Sequence, residues 1–433
     1  MADHISIGLM GLGVVGVGVA TAVRDQAQTL SRRIGTPVRI DRVLVRDVRS
    51  RRSAISEDLS LTADADDILK NPNIPLVIEV MGGEYPAYDY VAAAIAAGKH
   101  VVTANKEIMA KHGPELLRAA ADNGVMLRFE ASVGGGIPII GPLLDDLAAN
   151  DILAVNAIIN GTTNYMLTRM AADGLDYPTV LREAQELGYA EPDPAADVDG
   201  VDAAFKLAIL ASLAFRTVVR DTDVFREGIS RLAPEDFWYA EELGYVIKLL
   251  ATARRTDGRV LARVHPAFLP ISHPLAKVDG VYNAVELEGD LVDWAMFQGP
   301  GAGARPTASA ILADVVAIGR AIVGGVRPAQ PPLFNEALSI GTVDDLDTKY
   351  YIRLRASDRP GVMAQVTQVL GDLDVSLASV IQKEVDESGK AAEIVITTHV
   401  AREADVQQAL QQLSALDSVD EVSNLVRVEE RIA

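Results

Sequence analysis

The 433-residue chain contains no cysteine. That absence excludes disulfides, thiolate metal sites and any mechanism built on a cysteine nucleophile. Basic charge is also scarce: 40 Lys and Arg stand against 60 Asp and Glu, a formal net charge of −20. Nucleic acid and anionic membranes both demand a basic face, so neither is expected as a partner. No uninterrupted apolar stretch reaches spanning length, and MADHISIG leads into a strand-like run rather than a signal-peptide pattern. A cytoplasmic location is the expectation. The 6 histidines are scattered singly, which speaks against a catalytic transition metal. What remains, 49% hydrophobic and 23% charged, describes a globular protein with room for about two to four domains.

The N-terminal region alternates strand and helix signals, the order a parallel sheet with crossover helices requires. Strands are expected at Ile5–Leu9, Val38–Val45, Leu76–Val80, His100–Thr103 and Val125–Glu130. Helices are expected at Gly16–Leu30, Ala87–Ala97 and Glu107–Asn123. Between the first strand and first helix stands Gly11-x-Gly13-x-x-Gly16, with Val14 and Val15 inside it. A glycine turn from strand into helix presents free N–H groups that can hold a pyrophosphate, so dinucleotide binding is favoured over a plain turn. At the close of the second strand the chain reads Arg46 then Asp47, with Arg49, Arg51 and Arg52 nearby. Arginine there can neutralise a 2′-phosphate, which favours NADP with NAD as a usable substitute; the same arginines also read as solvated loop charge.

The run GYAEPDPAADVDGVDAAFK, Gly188 to Lys206, is the most suggestive segment of the middle region. Pro192 and Pro194 interrupt it, and a helical pattern is expected from about Asp199, placing Asp202 and Lys206 four apart on one face. Carboxylates around an ammonium group can bind a polar small molecule and move a proton. The plain alternative is that Asp199 caps a helix and Asp202 pairs with Lys206, while Asp193 is solvated loop charge. Strand-like stretches follow near Val260–Leu269, Tyr282–Leu287 and Leu291–Met296. A glycine loop from Gly299 then opens into an apolar helix expected to return onto the nucleotide-binding region. PAQPPLF begins a linker that runs to the last, C-terminal region. From Tyr350 the order is strand, helix, strand, strand, helix, strand, a ferredoxin-like unit.

Together these motifs resemble homoserine dehydrogenase of the long form with a C-terminal ACT domain. The resemblance is carried by GLGVVG at Gly11–Gly16, VVTANKE at Val101–Glu107, EASVGGGIP from Glu130, NGTTNYML from Asn160, the acidic run, and GPGAGARPTASA from Gly299. It covers nearly the whole chain. It implies an α/β architecture: a Rossmann-type domain over 1–135 plus 306–328, an α+β substrate and dimerisation domain over 136–305, a linker over 329–349 and an ACT domain over 350–433. It implies interconversion of L-homoserine and L-aspartate 4-semialdehyde with a nicotinamide cofactor, in the biosynthesis of threonine, methionine and isoleucine. Lys206 is then the expected proton donor with Asp202 orienting it, and Lys106 a second contact to substrate oxygen and cofactor. Glu191 and Asp197 would hold the substrate ammonium, with Gly188 and Tyr189 shaping that contact. Thr103 and Gly299 join the glycine turn at the cofactor. Main-chain carbonyls of Val133 and Gly135, with Glu130 and Ile137, match a sodium-type monovalent cation site. The glycines there also suit a tight hinge.

In the tail, the turn at Pro360-Gly361 has the ACT pattern. Asp358, Gly361, Val362, Ser379 and Gln382 are the expected contacts for an amino-acid effector, threonine in this family, in a homodimer or homotetramer. A structural tail that only cements the oligomer is the alternative. Thioester chemistry of the aspartate-semialdehyde dehydrogenase type is excluded because it needs cysteine. A fused kinase is not expected, since little chain precedes Gly11. A non-catalytic amino-acid sensor with a nucleotide-binding body is the remaining alternative; the presence of both Lys106 and Lys206 argues against it.

Overall fold

The computed structural model describes residues 3–49, 58–326, 334, 337–384 and 391–430. Arg51, Arg52 and part of the expected linker lie outside the described residues. By compactness the chain forms two units: Met1–Ile159, Ala204–Asp223 and Tyr282–Leu338 in one, Asn160–Ala203, Val224–Val281 and Ser339–Ala433 in the other.

The first unit holds a six-stranded parallel sheet in the order Leu61–Thr62, Val38–Leu44, Ile5–Met10, Leu76–Glu79, His100–Thr103, Leu127–Arg128. This is the doubly wound order of a Rossmann-type domain. The first strand is buried along its whole length because helices cover both faces. Gly8 permits that cover: a Cβ there would lie 2.4 Å from Ile68 Cγ2. The single helix expected over Gly16–Leu30 is instead two, Val14–Asp25 and Ala27–Ile34, divided at Gln26. The expected strand Val125–Glu130 is shorter, because Glu130–Ser132 turns into one 3-10 turn.

The apolar helix Ala304–Gly324 returns to this unit as expected. It packs Ile311, Val315 and Ile318 against Val19, Val23 and Ile34. Close approach depends on glycine, since a Cβ on Gly18 would stand 2.7 Å from the Ala304 carbonyl oxygen. Among the described residues this is the one helix long and apolar enough to cross a membrane, and its apolar face fills the core. An antiparallel ladder of Ile152–Ile158, Tyr282–Gly289 and Asp293–Pro300 completes the unit.

The second unit is built around the hairpin Tyr245–Thr256 and Arg259–Pro270, paired over their full length. Asp257 and Gly258 turn it with φ of 49° and 75°, the two-residue geometry that Asp-Gly favours. The tail has the expected βαββαβ order, with strands arranged Val419–Val428, Asp347–Ser357, Ala391–Thr398, Leu377–Glu384. Its helices Val362–Asp372 and Glu403–Ser414 bury Val366, Leu370, Val406 and Leu413 against Ile352 and Leu354. Val419–Val428 also pairs with the hairpin, Ala267 opposite Arg427. Asp236, fully buried, accepts from Tyr351 Oη at 3.1 Å, Arg353 Nε at 2.7 Å and Asn424 Nδ2 at 2.7 Å. The tail is therefore continuous with the hairpin rather than appended to it.

Candidate functional site

At the glycine turn, Gly11 has φ 103° and Gly16 packs so tightly that a Cβ would lie 2.2 Å from the Gly11 carbonyl oxygen. Gly13 differs: a Cβ there meets nothing within 4 Å. The helix Val14–Asp25 begins after Gly13 with no side-chain cap and no acidic residue in its first turn. Uncapped N–H groups beside open space fit the diphosphate of a dinucleotide. Arg46 is exposed just beyond the second strand, while Asp47 accepts the N–H of Arg49 at 2.8 Å.

Lys106 is the first residue of helix Lys106–Asp122 and is half-buried. Asn105 caps that helix, accepting from the N–H groups of Glu107 and Ile108 at 3.1 and 3.3 Å. Asn105 is held in turn by its own N–H to Thr103 Oγ1 at 3.0 Å and its amide to the Gly83 carbonyl at 2.7 Å. Thr103 is buried and donates its hydroxyl to Glu79 at 2.5 Å. Its side chain thus braces the strand end and is turned away from solvent. Burial raises the Glu79 carboxyl above its ordinary value, opposed by the Thr103 hydroxyl and the Met81 and Gly82 N–H groups. Five residues on, Lys111 sits over the Phe205 ring, 5.7 Å from its centroid. That contact sets the Lys106 helix beside the residues around Lys206. The Lys206 ammonium donates to the Ile159 carbonyl at 2.7 Å.

In the second unit the acidic loop converges on Asn160, whose role the sequence reading had not singled out. Its amide donates to Asp197 at 2.7 Å and to buried Asp202 at 2.9 Å. Its Oδ1 accepts the Thr163 N–H at 2.8 Å and so caps helix Gly161–Asp173. Asn before a helical run is a recognised cap signal, but the two carboxylates 37 and 42 residues away leave no local trace. Glu191 and Asp193 are exposed, and the Tyr189 ring lies tilted against that of Tyr165, centroids 4.9 Å apart, while its carbonyl accepts from Thr162. Gly188 has φ 76°, which suits it to that turn. One expectation is corrected. Asp199 does not cap the Lys206 helix, which spans Val201–Ala214; it ends a one-turn helix, Ala195–Val198, and Gly200 with φ 76° separates the two.

The glycine run after Glu130 is held closely. Gly134 and Gly135 have φ of 69° and 56°, and a Cβ on Gly135 would stand 2.3 Å from the Gly301 carbonyl oxygen. The Glu130 carboxylate accepts the N–H groups of Ile139, Ile140 and Gly141 at 2.6, 2.9 and 2.7 Å. With that carboxylate engaged, the donor set that fits a cation is main-chain carbonyl oxygen, as at Val133, Gly135 and Ile137. Gly299 is the last strand residue but one, followed by Pro300, whose carbonyl accepts the Gly136 N–H at 3.0 Å. Among the described residues no cluster of His, Asp and Glu suits a transition metal. In the tail, Gly361 opens helix Val362–Asp372 with φ 93° and no side-chain cap. Gln382 reaches Asp358 at 3.2 Å, while Ser379 bonds Thr397 at 2.7 Å.

Comparison with known proteins agrees with this arrangement. The homoserine dehydrogenase NAD-binding domain matches residues 11–130, the homoserine dehydrogenase domain 138–316 and the ACT domain 350–418. A homoserine dehydrogenase of Synechocystis is 43% identical, covering 98% of this chain and 99% of its own. One from Bacillus subtilis is 40% identical over 98% of both chains. The crystal structure of a homoserine dehydrogenase from Thiobacillus denitrificans superposes with a TM-score of 0.93 at 42% identity, covering 99% of this chain and 98% of that one. With matches to the NAD-binding, homoserine dehydrogenase and ACT domains in turn, the chain belongs to the homoserine dehydrogenase family and is an oxidoreductase using a nicotinamide cofactor.

Proposed function

We propose that Lys206 is the proton-transfer group of the family reaction, L-homoserine to L-aspartate 4-semialdehyde and back. The observation that carries this reading is the 2.7 Å bond from its ammonium to the Ile159 carbonyl, which fixes where the group points. The bound nicotinamide supplies or accepts the hydride. In the reducing direction, the Lys206 ammonium gives its proton to the aldehyde oxygen and stabilises the alkoxide as charge develops. Asp202 orients the lysine from one turn earlier on the same helix. Lys106 contacts the substrate oxygen and cofactor, and Glu191 and Asp197 receive the substrate ammonium. Lys206→Met should lower kcat by on the order of 10²–10⁴ with cofactor affinity kept. Near-normal turnover of that variant would remove Lys206 from the reaction.

Further parts of the reading follow from the same geometry. Exposed Arg46 at the strand end supports NADP as preferred cofactor with NAD usable; a kcat/KM ratio for the two unchanged in Arg46→Ala would refute it. Carbonyls of Val133, Gly135 and Ile137, with the main chain of Glu130, would hold sodium or another monovalent cation. The Asp358–Gln382 contact supports an amino-acid effector, threonine, at the ACT turn of a cytoplasmic homodimer or homotetramer.

A further inference from the structure

The second unit contains a cavity of about 360 Å³ with both polar and apolar walls, within the size range of small-molecule sites. It lies among the strand Val419–Val428, the helix Glu403–Ser414 and the segment from Phe225 to Arg231. The Asp358–Gln382 contact is elsewhere, with Gln382 on the strand at the far end of the tail's sheet order.

The chemistry of the walls is asymmetric. Phe225, Leu410, Val422 and Leu425 form an apolar side. At the floor, Arg427 is 1% exposed and donates to both Glu403, from Nε at 2.8 Å, and Glu227, from Nη1 at 2.7 Å. One cation between two carboxylates leaves a surplus negative charge there. At the rim Arg231 is exposed and its guanidinium joins no ion pair among the described residues. A ligand matching these walls carries an ammonium toward Glu227, a carboxylate toward Arg231 and an aliphatic body between them.

The floor is also tied to the acidic loop. Glu227 donates its N–H to the Val264 carbonyl at 2.8 Å, and Ile229 donates to the Val198 carbonyl at 3.0 Å. Between them Gly228 lies so close that a Cβ would stand 2.5 Å from the Val198 oxygen. Val198 directly follows Asp197, whose carboxylate Asn160 holds. A ligand that draws Glu227 from Arg427 therefore acts on a segment packed against that loop.

We infer that this cavity binds an α-amino acid with an aliphatic side chain, independently of the ACT turn, and that its occupancy alters the acidic loop. The binding half stands on the cavity alone; the effect on substrate rests on the proposed role of Asp197. L-leucine is a suitable probe, with 4-methylpentanoate and isopentylamine as controls lacking the ammonium or the carboxylate. Titration calorimetry on the full chain should show saturable L-leucine binding and none for either control. Arg231→Gln should weaken it at least about tenfold, a loss of about 1.4 kcal/mol. Leu410→Trp should abolish it by filling the cavity, and Asp358→Ala should leave it unchanged. Homoserine turnover without leucine reports that each variant is folded. No saturable binding up to about 10 mM, or loss in Asp358→Ala but not in Arg231→Gln, overturns the site. In wild type, leucine should shift the homoserine KM while the cofactor KM stays fixed. An unmoved homoserine KM with intact binding overturns the coupling, whereas normal leucine binding alongside full activity of Lys206→Met would fault the catalytic reading alone.

Discussion

The backbone N–H of Glu130 donates to Oδ2 of Asp314 at 2.9 Å, and burial pushes the Asp314 carboxyl up to about 7. The bond thus joins the start of the glycine run to the returning helix through a carboxyl that resists ionising. The unfolded chain ionises this group near 3.8, so between roughly pH 4 and 7 the folded state holds the proton that the unfolded state has lost. This group therefore lowers stability as pH rises through that window, and the penalty is complete above pH 7. Asp314→Asn keeps an oxygen for Glu130 and never ionises. It should be more stable than wild type at pH 8, by on the order of 1–3 kcal/mol, and alike at pH 4. Urea midpoints at the two pH values check this; equal differences at both would contradict it.

Asn160 offers a way to separate capping from function. Asn160→Ser retains a capping oxygen for Thr163 but loses the amide that joins Asp197 to Asp202. Thermal stability should stay within about 1 kcal/mol of wild type, whereas kcat/KM for homoserine should fall roughly 10- to 100-fold. The cofactor KM should not move. Wild-type kcat/KM in the serine variant would show that the bridge is structural.

The two glycines of the nucleotide turn should respond oppositely. Gly16→Ala places a methyl against the Gly11 carbonyl, 2.2 Å away, and should lower soluble yield and stability. Gly13→Ala meets no protein atom within 4 Å, at an extended φ of −79° that alanine tolerates. Its fold should persist while the cofactor KM rises, since the added methyl occupies the room left for phosphate. A Gly13→Ala variant with unchanged cofactor KM would place the diphosphate elsewhere.

Much of this was readable from the chain because it is local. Strand-turn-helix at Gly11–Gly16 and the βαββαβ order of the tail are written in apolar periodicity and glycine placement, and both formed as expected. The long strand Tyr245–Thr256 was passed over although Asp257-Gly258 marked its hairpin, since its apolar run gives no alternation to separate strand from helix. Glu79 beneath Thr103, and Asn160 between two carboxylates, were hidden for another reason. Their partners are 24 to 42 residues away, and sequence spacing says nothing of contacts at that range.

Threonine regulation is best tested by substitution. Deleting the tail after Thr348 would leave Asp236 buried without Tyr351, Arg353 and Asn424, a cost of several kcal/mol by itself. Asp358→Ala disturbs only the Gln382 contact. If the ACT turn binds threonine, wild type should be inhibited at millimolar threonine and the variant should not, at equal basal turnover. Inhibition that survives in Asp358→Ala would move the effector away from that turn.

The buried contacts between tail and hairpin also constrain how such a protein can be recombined. Asp236 meets Arg353, Arg263 meets Glu429, and Glu227 meets Arg427, so each pairing has one member on either side of residue 338. A tail grafted from a distant relative would arrive with charges cut to fit a different host. Exchange between lineages therefore has to carry both halves of these pairs, and descent should keep body and tail together.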